Sequence, residues 1–128
     1  MNNPTTLRYT DSHECLNDHG DGTATVGITF HAQDALGELV YVELPAMGRA
    51  LSKGEACVVV ESTKAASDVY APVDGEIIAI NEALADAPQT VNEAPFEGGW
   101  LFKIKLANAA QVATLLSATD YAAGPGAA

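Results

Sequence analysis

Apolar residues recur along most of the chain with the period of a pleated strand. Thr23-Ala24-Thr25-Val26-Gly27-Ile28-Thr29-Phe30 alternates small or polar with apolar positions, as a half-buried strand does. Glu38 to Leu44 is a second such run, ended by Pro45, whose ring removes the donor that a ladder needs. Glu55 to Val60, Gly75 to Asn81 and Leu101 to Leu106 add three more. In the last of these Lys103 and Lys105 fall on the wet face; between Gly75 and Asn81 the alternation buries Ile78 and Ile80 or their neighbours. Leu7-Arg8-Tyr9-Thr10 reads as a short first strand, and the Asn, Asp and Gly density of residues 17–22 predicts the turn of an N-terminal hairpin. Helical spacing is confined to two stretches. His31 to Gly37 fits one or two turns stopped by the glycine; residues 108–117 predict a C-terminal helix capped by Asn108, with Val112, Leu115 and Leu116 along one side. Glu82 to Pro95 reads as an irregular link, and residues 1–6 and 122–128 as loose tails. Short strands, Gly/Pro turns and little helix predict a mainly β single domain over residues 1–128, either a barrel or a sandwich.

One break in this pattern carries chemistry. Val58-Val59-Val60 enters a polar, small-residue stretch, Val69-Tyr70 leaves it, and Pro72 with Asp74-Gly75 closes the exit. Two strands joined by a tight turn are expected, with Lys64 at the tip. Ala65, Ala66 and Ser67 are too small to shield it, and its near neighbours Glu61 and Asp68 are acidic. A primary amine on a flexible stem is a good acyl acceptor, and acylation removes its charge while lengthening its reach. A lysine at a turn is otherwise an ordinary solvated residue.

Charge narrows the partners. Six Lys plus Arg against 17 Asp plus Glu give a net charge of −11 over 128 residues, which argues against a basic nucleic-acid surface and for partners with basic mouths. The same charge opposes self-association, so a monomer is expected. Cys15 and Cys57 make no disulfide framework. No apolar run approaches the roughly 20 residues of a membrane span. No basic segment followed by an apolar one opens the chain, so it reads as cytoplasmic. His13, Cys15, His19 and His31 support a competing reading as a small metal or enzymatic module. His13 and Cys15 would share a strand face while His19 falls in the turn, without the paired spacing of a zinc site or a group to orient a base.

Glu61-Ser62-Thr63-Lys64-Ala65, followed by Asp68, Pro72 and Gly75, resembles the modified hairpin of lipoyl carrier domains. Biotin carriers usually flank the lysine with Met, and lipoyl domains of 2-oxoacid dehydrogenases usually place Asp before it; Thr63 and Ala65 stand here. Gly27-Ile28-Thr29, His31-Ala32-Gln33, Leu36-Gly37, Val42-Glu43-Leu44-Pro45, Asn92-Glu93, Pro95, Gly99-Trp100-Leu101 and Lys103-Ile104 resemble the glycine cleavage H proteins, a likeness running over residues 7–121. It implies a flattened barrel of two antiparallel sheets. It implies lipoate in amide linkage at Lys64, with Glu61 and Asp68 marking the lysine for lipoylating enzymes. The resemblance also implies that the loaded arm can fold back against the protein, with Glu14 and His31 at the matching positions as candidate contacts. A non-catalytic carrier is implied, passing the aminomethyl intermediate of glycine between glycine decarboxylase, aminomethyltransferase and dihydrolipoamide dehydrogenase. A lipoyl-group relay or another acyl-lysine carrier is the alternative. Cys15 stands where the family usually has an aromatic, and Phe30 where it usually has a polar residue.

Overall fold

The computed structural model describes residues 3–126. In chain order the elements are β1 (Arg8–Tyr9), β2 (Glu14–Asp18), β3 (Thr23–Ile28), α1 (Phe30–Leu36), β4 (Leu39–Glu43), β5 (Ala50–Leu51), β6 (Ala56–Ser62), β7 (Ala66–Tyr70), β8 (Gly75–Ile80), α2 (Thr90–Glu93), β9 (Phe102–Leu106) and α3 (Ala118–Ala123), with single 3-10 segments at Glu82–Ala85 and Ala109–Thr114. A six-stranded antiparallel sheet runs β1-β2-β3-β9-β8-β5, and a three-stranded one runs β4-β6-β7. The open sandwich agrees with the fold class that the sequence predicts.

Register puts the apolar set of each sheet on one face. Leu16 lies opposite Val26, Val26 opposite Phe102, and Ile104 between Ala24 and Ile77. All of these are buried, and from the smaller sheet Leu39, Val42, Val58, Val60 and Val69 meet them in one continuous core. A one-residue slip would turn the whole set to water, so burial holds the register. A bulge between Leu39 and Tyr41 leaves Val40 and Tyr41 both exposed on β4.

The link from Glu82 to Pro95 is more regular than its composition suggests, because its 3-10 segment and α2 bury Leu84 and Val91. Behind them, Gly99 lies against backbone: a Cβ there would stand 2.7 Å from Val91 Cα and 2.8 Å from the carbonyl oxygens of Thr90 and Ala94. Gly99→Ala is therefore expected to cost about 1–3 kcal/mol, read as a lower denaturant midpoint at unchanged slope.

The C-terminal helix expected over 108–117 is corrected by the structure. Asn108 does cap, accepting from Ala110 N–H at 3.1 Å, but the turns that follow are 3-10 and stop at Thr114. Leu116 instead exchanges both backbone hydrogen bonds with Tyr9, at 2.8 and 2.9 Å, extending the sheet beyond β1. Ser117 then caps a new helix, α3, accepting from Asp120 N–H at 3.1 Å. The edge strand takes the backbone groups that a continuous helix would have used. The ends expected to be loose are held where they are described. Pro4 O accepts from Leu7 N–H and Tyr9 O–H, and Gly126 N–H donates to Tyr121 O. Tyr121 is wholly buried and stacks on Tyr9 at 4.8 Å. Residues 1–2 and 127–128 lie outside the described residues.

Candidate functional site

Lys64 stands at the exposed tip of the β6–β7 hairpin. Glu61 pairs with Ala66, and Ser62 N–H donates to Ala65 O at 2.8 Å, so Thr63 and Lys64 are the two loop residues. Ser62 Oγ accepts from Lys64 N–H at 3.3 Å and Ala65 N–H at 3.1 Å, which pins the turn by its own side chain. Lys64 forms no ion pair among the described residues. Its stem lies over Gly37, the C-cap of α1, where a Cβ would stand 3.3 Å from Lys64 Cε and 3.7 Å from Nζ. Gly37 has φ +83°, so glycine there both ends the helix without strain and leaves room for the lysine.

Asn92 on α2 fixes the ground beneath. Its Oδ1 accepts from Leu39 N–H at 2.9 Å, and its Nδ2 donates to Gly37 O at 2.8 Å and Gln33 Oε1 at 3.1 Å. Gly37, Gln33 and Asn92 are thus residues of the site that periodicity does not single out. Their only sequence signal is their place in the segments that carry the resemblance.

Glu61 and Asp68 lie beside the lysine on the outer face of the three-stranded sheet. Val58, Val60 and Val69 point inward, so strand alternation sends Val59, Glu61 and Asp68 outward. Across the ladder Tyr41 lies opposite Glu61, and Val59 lies between Glu43 and Asp68. Three carboxylates, one of them Glu43 from a strand distant in sequence, therefore share a face with the exposed Tyr41.

Glu14 and His31 belong to a different set of contacts. Glu14 is only 2% exposed. Its Oε1 accepts from the hydroxyls of Thr10 and Ser12, both at 2.6 Å, and its Oε2 from Tyr70 N–H at 3.2 Å. Burial raises its pKa above the usual carboxylate value, and the three donors pull the other way. The carboxylate ties the N-terminal hairpin to the end of β7. His31 stacks on His13 at 4.5 Å, and its Nδ1 is buried without a hydrogen-bond partner among the described residues. His13, at φ +73°, bonds through Nδ1 to Tyr121 Oη at 2.6 Å, and that hydroxyl meets Thr29 Oγ1 at 2.7 Å.

Desolvation lowers the pKa of His13, the neighbouring His31 lowers it further, and Asp11 opposes both. The folded protein thus binds this proton less readily than the unfolded chain, whose His titrates near 6.5. The contribution to stability is complete above that value and is lost as pH falls through it. Melting temperature is expected to fall between about pH 7.5 and 5.5. His13→Asn, which tolerates the left-handed backbone, should flatten that slope.

The remaining metal-module residues do not join this pair. Cys15 is buried, donates weakly to Ile28 O at 3.7 Å, and has its thiol pushed up to about 12 by burial. His19 bonds Thr25 Oγ1 in the exposed turn region. Among the described residues no three His, Cys, Asp or Glu side chains are grouped so as to hold a metal ion. The small Cys15 side chain borders a groove of about 240 Å³ over Trp100, and Phe30 presents a partly exposed ring at the start of α1.

Comparison with known proteins gives a consistent answer. A family model described as Glycine cleavage H-protein matches residues 7–124. The glycine cleavage system H protein of Marinomonas sp. (strain MWYL1) is 60% identical over 120 residues, covering 94% of each chain. That of Chromohalobacter salexigens is 60% identical over 118 residues, covering 92% of this chain and 90% of the relative. The crystal structure of a glycine cleavage system H protein from Mycobacterium marinum superposes with a TM-score of 0.86 at 41% identity, covering 94% of this chain and 96% of that one. With this sandwich, this exposed hairpin lysine and likeness over nearly the whole chain, the protein belongs to the glycine cleavage H-protein family, the non-catalytic lipoyl carriers of the glycine cleavage system.

Proposed function

We propose that Lys64 Nζ is the amide acceptor for lipoate and that this chain carries the aminomethyl group of glycine between enzymes of the cleavage system. The observation that carries the reading is the presentation of Lys64: an exposed tip on a turn pinned by Ser62, with no ion pair among the described residues and with its stem free over Gly37. The residues fit the group, since the amine makes no hydrogen bond or ion pair among the described residues that acylation would break. Once attached, lipoate supplies a cyclic disulfide able to take up the aminomethyl group.

The protein's own part is mechanical and electrostatic. A short turn on a rigid hairpin limits the volume the arm explores, which raises its effective concentration at a docked active site. The outer face carrying Glu43, Glu61 and Asp68 offers negative charge beside the amine to enzymes with basic rims. The partners proposed are glycine decarboxylase, a tetrahydrofolate-dependent aminomethyltransferase, dihydrolipoamide dehydrogenase and a lipoylating enzyme. Incubation with a lipoylating enzyme and lipoate, followed by intact mass and peptide mapping, should give one lipoyl increment confined to Lys64. An unchanged mass beside a competent control acceptor would overturn the reading. Glu61→Ala is expected to slow acceptance severalfold, as loss of one charge at a docking rim does; unchanged acceptor kinetics would remove Glu61 from recognition.

A further inference from the structure

Contacts from three separate segments close a circuit around Lys64. Asn92 donates from Nδ2 to Gly37 O at 2.8 Å and accepts at Oδ1 from Leu39 N–H at 2.9 Å, so one amide brackets the corner between α1 and β4. Leu39 is the ladder partner of Ser62, and Ser62 Oγ accepts from the N–H groups of Lys64 and Ala65. On the other side Lys64 Cε lies over Gly37, 3.3 Å from where a Cβ would stand. The circuit thus runs from Asn92 through Leu39, Ser62, Lys64 and Gly37 back to Asn92. Leu39 and Val91, the chain neighbour of Asn92, anchor it in the core. The turn alone fixes only the backbone of Lys64, whose four-carbon stem is flexible. What limits the swing of that stem on one side is the Gly37 corner, and Asn92 sets where that corner lies.

We propose that Asn92 is a positioning residue for the acylation of Lys64, acting through Gly37 and Leu39 without touching the amine. The inference rests on the reading of Lys64 as the lipoate acceptor. In that step the ammonium gives up one proton and Nζ attacks the carbonyl carbon of a lipoyl–phosphate mixed anhydride held by the lipoylating enzyme. The N–C bond forms, the C–O bond breaks with its electron pair leaving on the phosphate, and the new amide gives up a second proton. The amine must arrive along one line, and misplacement by about 1 Å can cost about a hundredfold in rate. Glu43, Glu61 and Asp68 lie on the outer face of the three-stranded sheet and make none of these contacts. Loss of the Asn92 amide therefore leaves docking intact and disturbs delivery, so it lowers kcat and not the affinity for the acceptor.

The test is steady-state lipoylation of the full-length protein by a lipoylating enzyme with lipoate and ATP, over a range of acceptor concentrations. Asn92→Ala deletes the bracket, and Asn92→Asp keeps an acceptor for Leu39 N–H but lacks the donors to Gly37 O and Gln33 Oε1. Each should lower kcat about tenfold, inside the loss that misplacement alone produces, with KM unchanged. Gly37→Ala reaches the same corner by another route, setting a Cβ 3.3 Å from Lys64 Cε while keeping Asn92, and should lower kcat likewise. Gln111→Ala, which removes the side-chain bonds to Asp74 beyond the exit of β7, controls for stability alone and should retain kcat. Denaturant midpoints check that each variant is folded under assay conditions. In the same proteins, limiting N-hydroxysuccinimidyl acetate should acetylate Lys64 relative to the exposed Lys53 and Lys105 in an unchanged ratio, because a small reagent reaches an exposed amine from many sides. Unchanged kcat in the Asn92 and Gly37 variants would overturn the inference. A raised KM at constant kcat would overturn it in favour of docking, and a matching fall in acetylation would overturn it in favour of amine reactivity. Failure of the unsubstituted protein to accept lipoate would overturn the carriage reading, and this inference with it.

Discussion

Lys64→Arg is expected to abolish carriage without disturbing the fold. The side chain is exposed, makes no ion pair among the described residues, and the turn beneath it is held by Ser62 through backbone N–H groups that arginine at position 64 retains. Surface substitutions of this kind stay within about 0.5 kcal/mol, so the denaturant midpoint should not move measurably. The guanidinium keeps the charge but does not act as an amide acceptor, so the lipoyl mass increment should vanish and support of glycine decarboxylation should fall to background. Turnover sustained by the variant would show that another group carries the cargo. Among the other bases, Arg49 is already paired with Glu55 at 2.7 Å, and Lys103 lies over the Trp100 ring at 5.2 Å. A normally folded protein with no increment is the outcome that isolates the chemistry to one atom.

Tyr121 is expected to be the most sensitive position for stability in the C-terminal region. Its ring is wholly buried against Tyr9 and edge-on to His13 at 5.7 Å, and its hydroxyl joins His13 Nδ1 to Thr29 Oγ1. Thr29 in turn caps α1, accepting from Ala32 N–H at 3.1 Å. Truncation to alanine removes the ring and leaves a cavity, a change that costs about 3–5 kcal/mol in well-packed cores. For a domain whose total stability is of the order of 5–15 kcal/mol, that is a large fraction. Tyr121→Phe keeps the ring and deletes the hydroxyl, taking from His13 Nδ1 its partner and leaving Thr29 Oγ1 only its cap bond from Ala32 N–H, at a cost of about 1–3 kcal/mol. Denaturant unfolding of the two variants should rank them in that order. A Tyr121→Ala midpoint close to that of the unsubstituted protein would mean that α3 contributes little to the fold.

Both predictions bear on what could be read before folding. The hairpin of Lys64 was legible because its causes are local: three valines in a strand, a serine that caps its own turn, small residues after the lysine. The same holds for α1, where Thr29 and Gly37 bound the helix within one residue of its predicted limits. Local pattern over residues 108–117 favours one helix, but Leu116 is claimed by Tyr9, a residue over a hundred positions earlier, and local propensity carries no record of that competition. Tyr121 sat at the edge of an Ala- and Gly-rich stretch whose composition signals looseness. Only docking against Tyr9 makes it core.

The sequence by itself determined the strand-rich class, the acidic surface, and the exposed lysine with Glu61 and Asp68 near it, since each follows from neighbours in the chain or from sums over it. Tertiary structure alone decided that Glu43 joins those two acids, and that Glu14 is buried as a tie to Tyr70. It also decided that His13 meets His31 rather than Cys15 or His19, and that Gln33 and Asn92 lie under Lys64. These are relations between segments far apart in sequence. They exist because burying one face of each sheet and each short helix leaves few ways to bring the segments together.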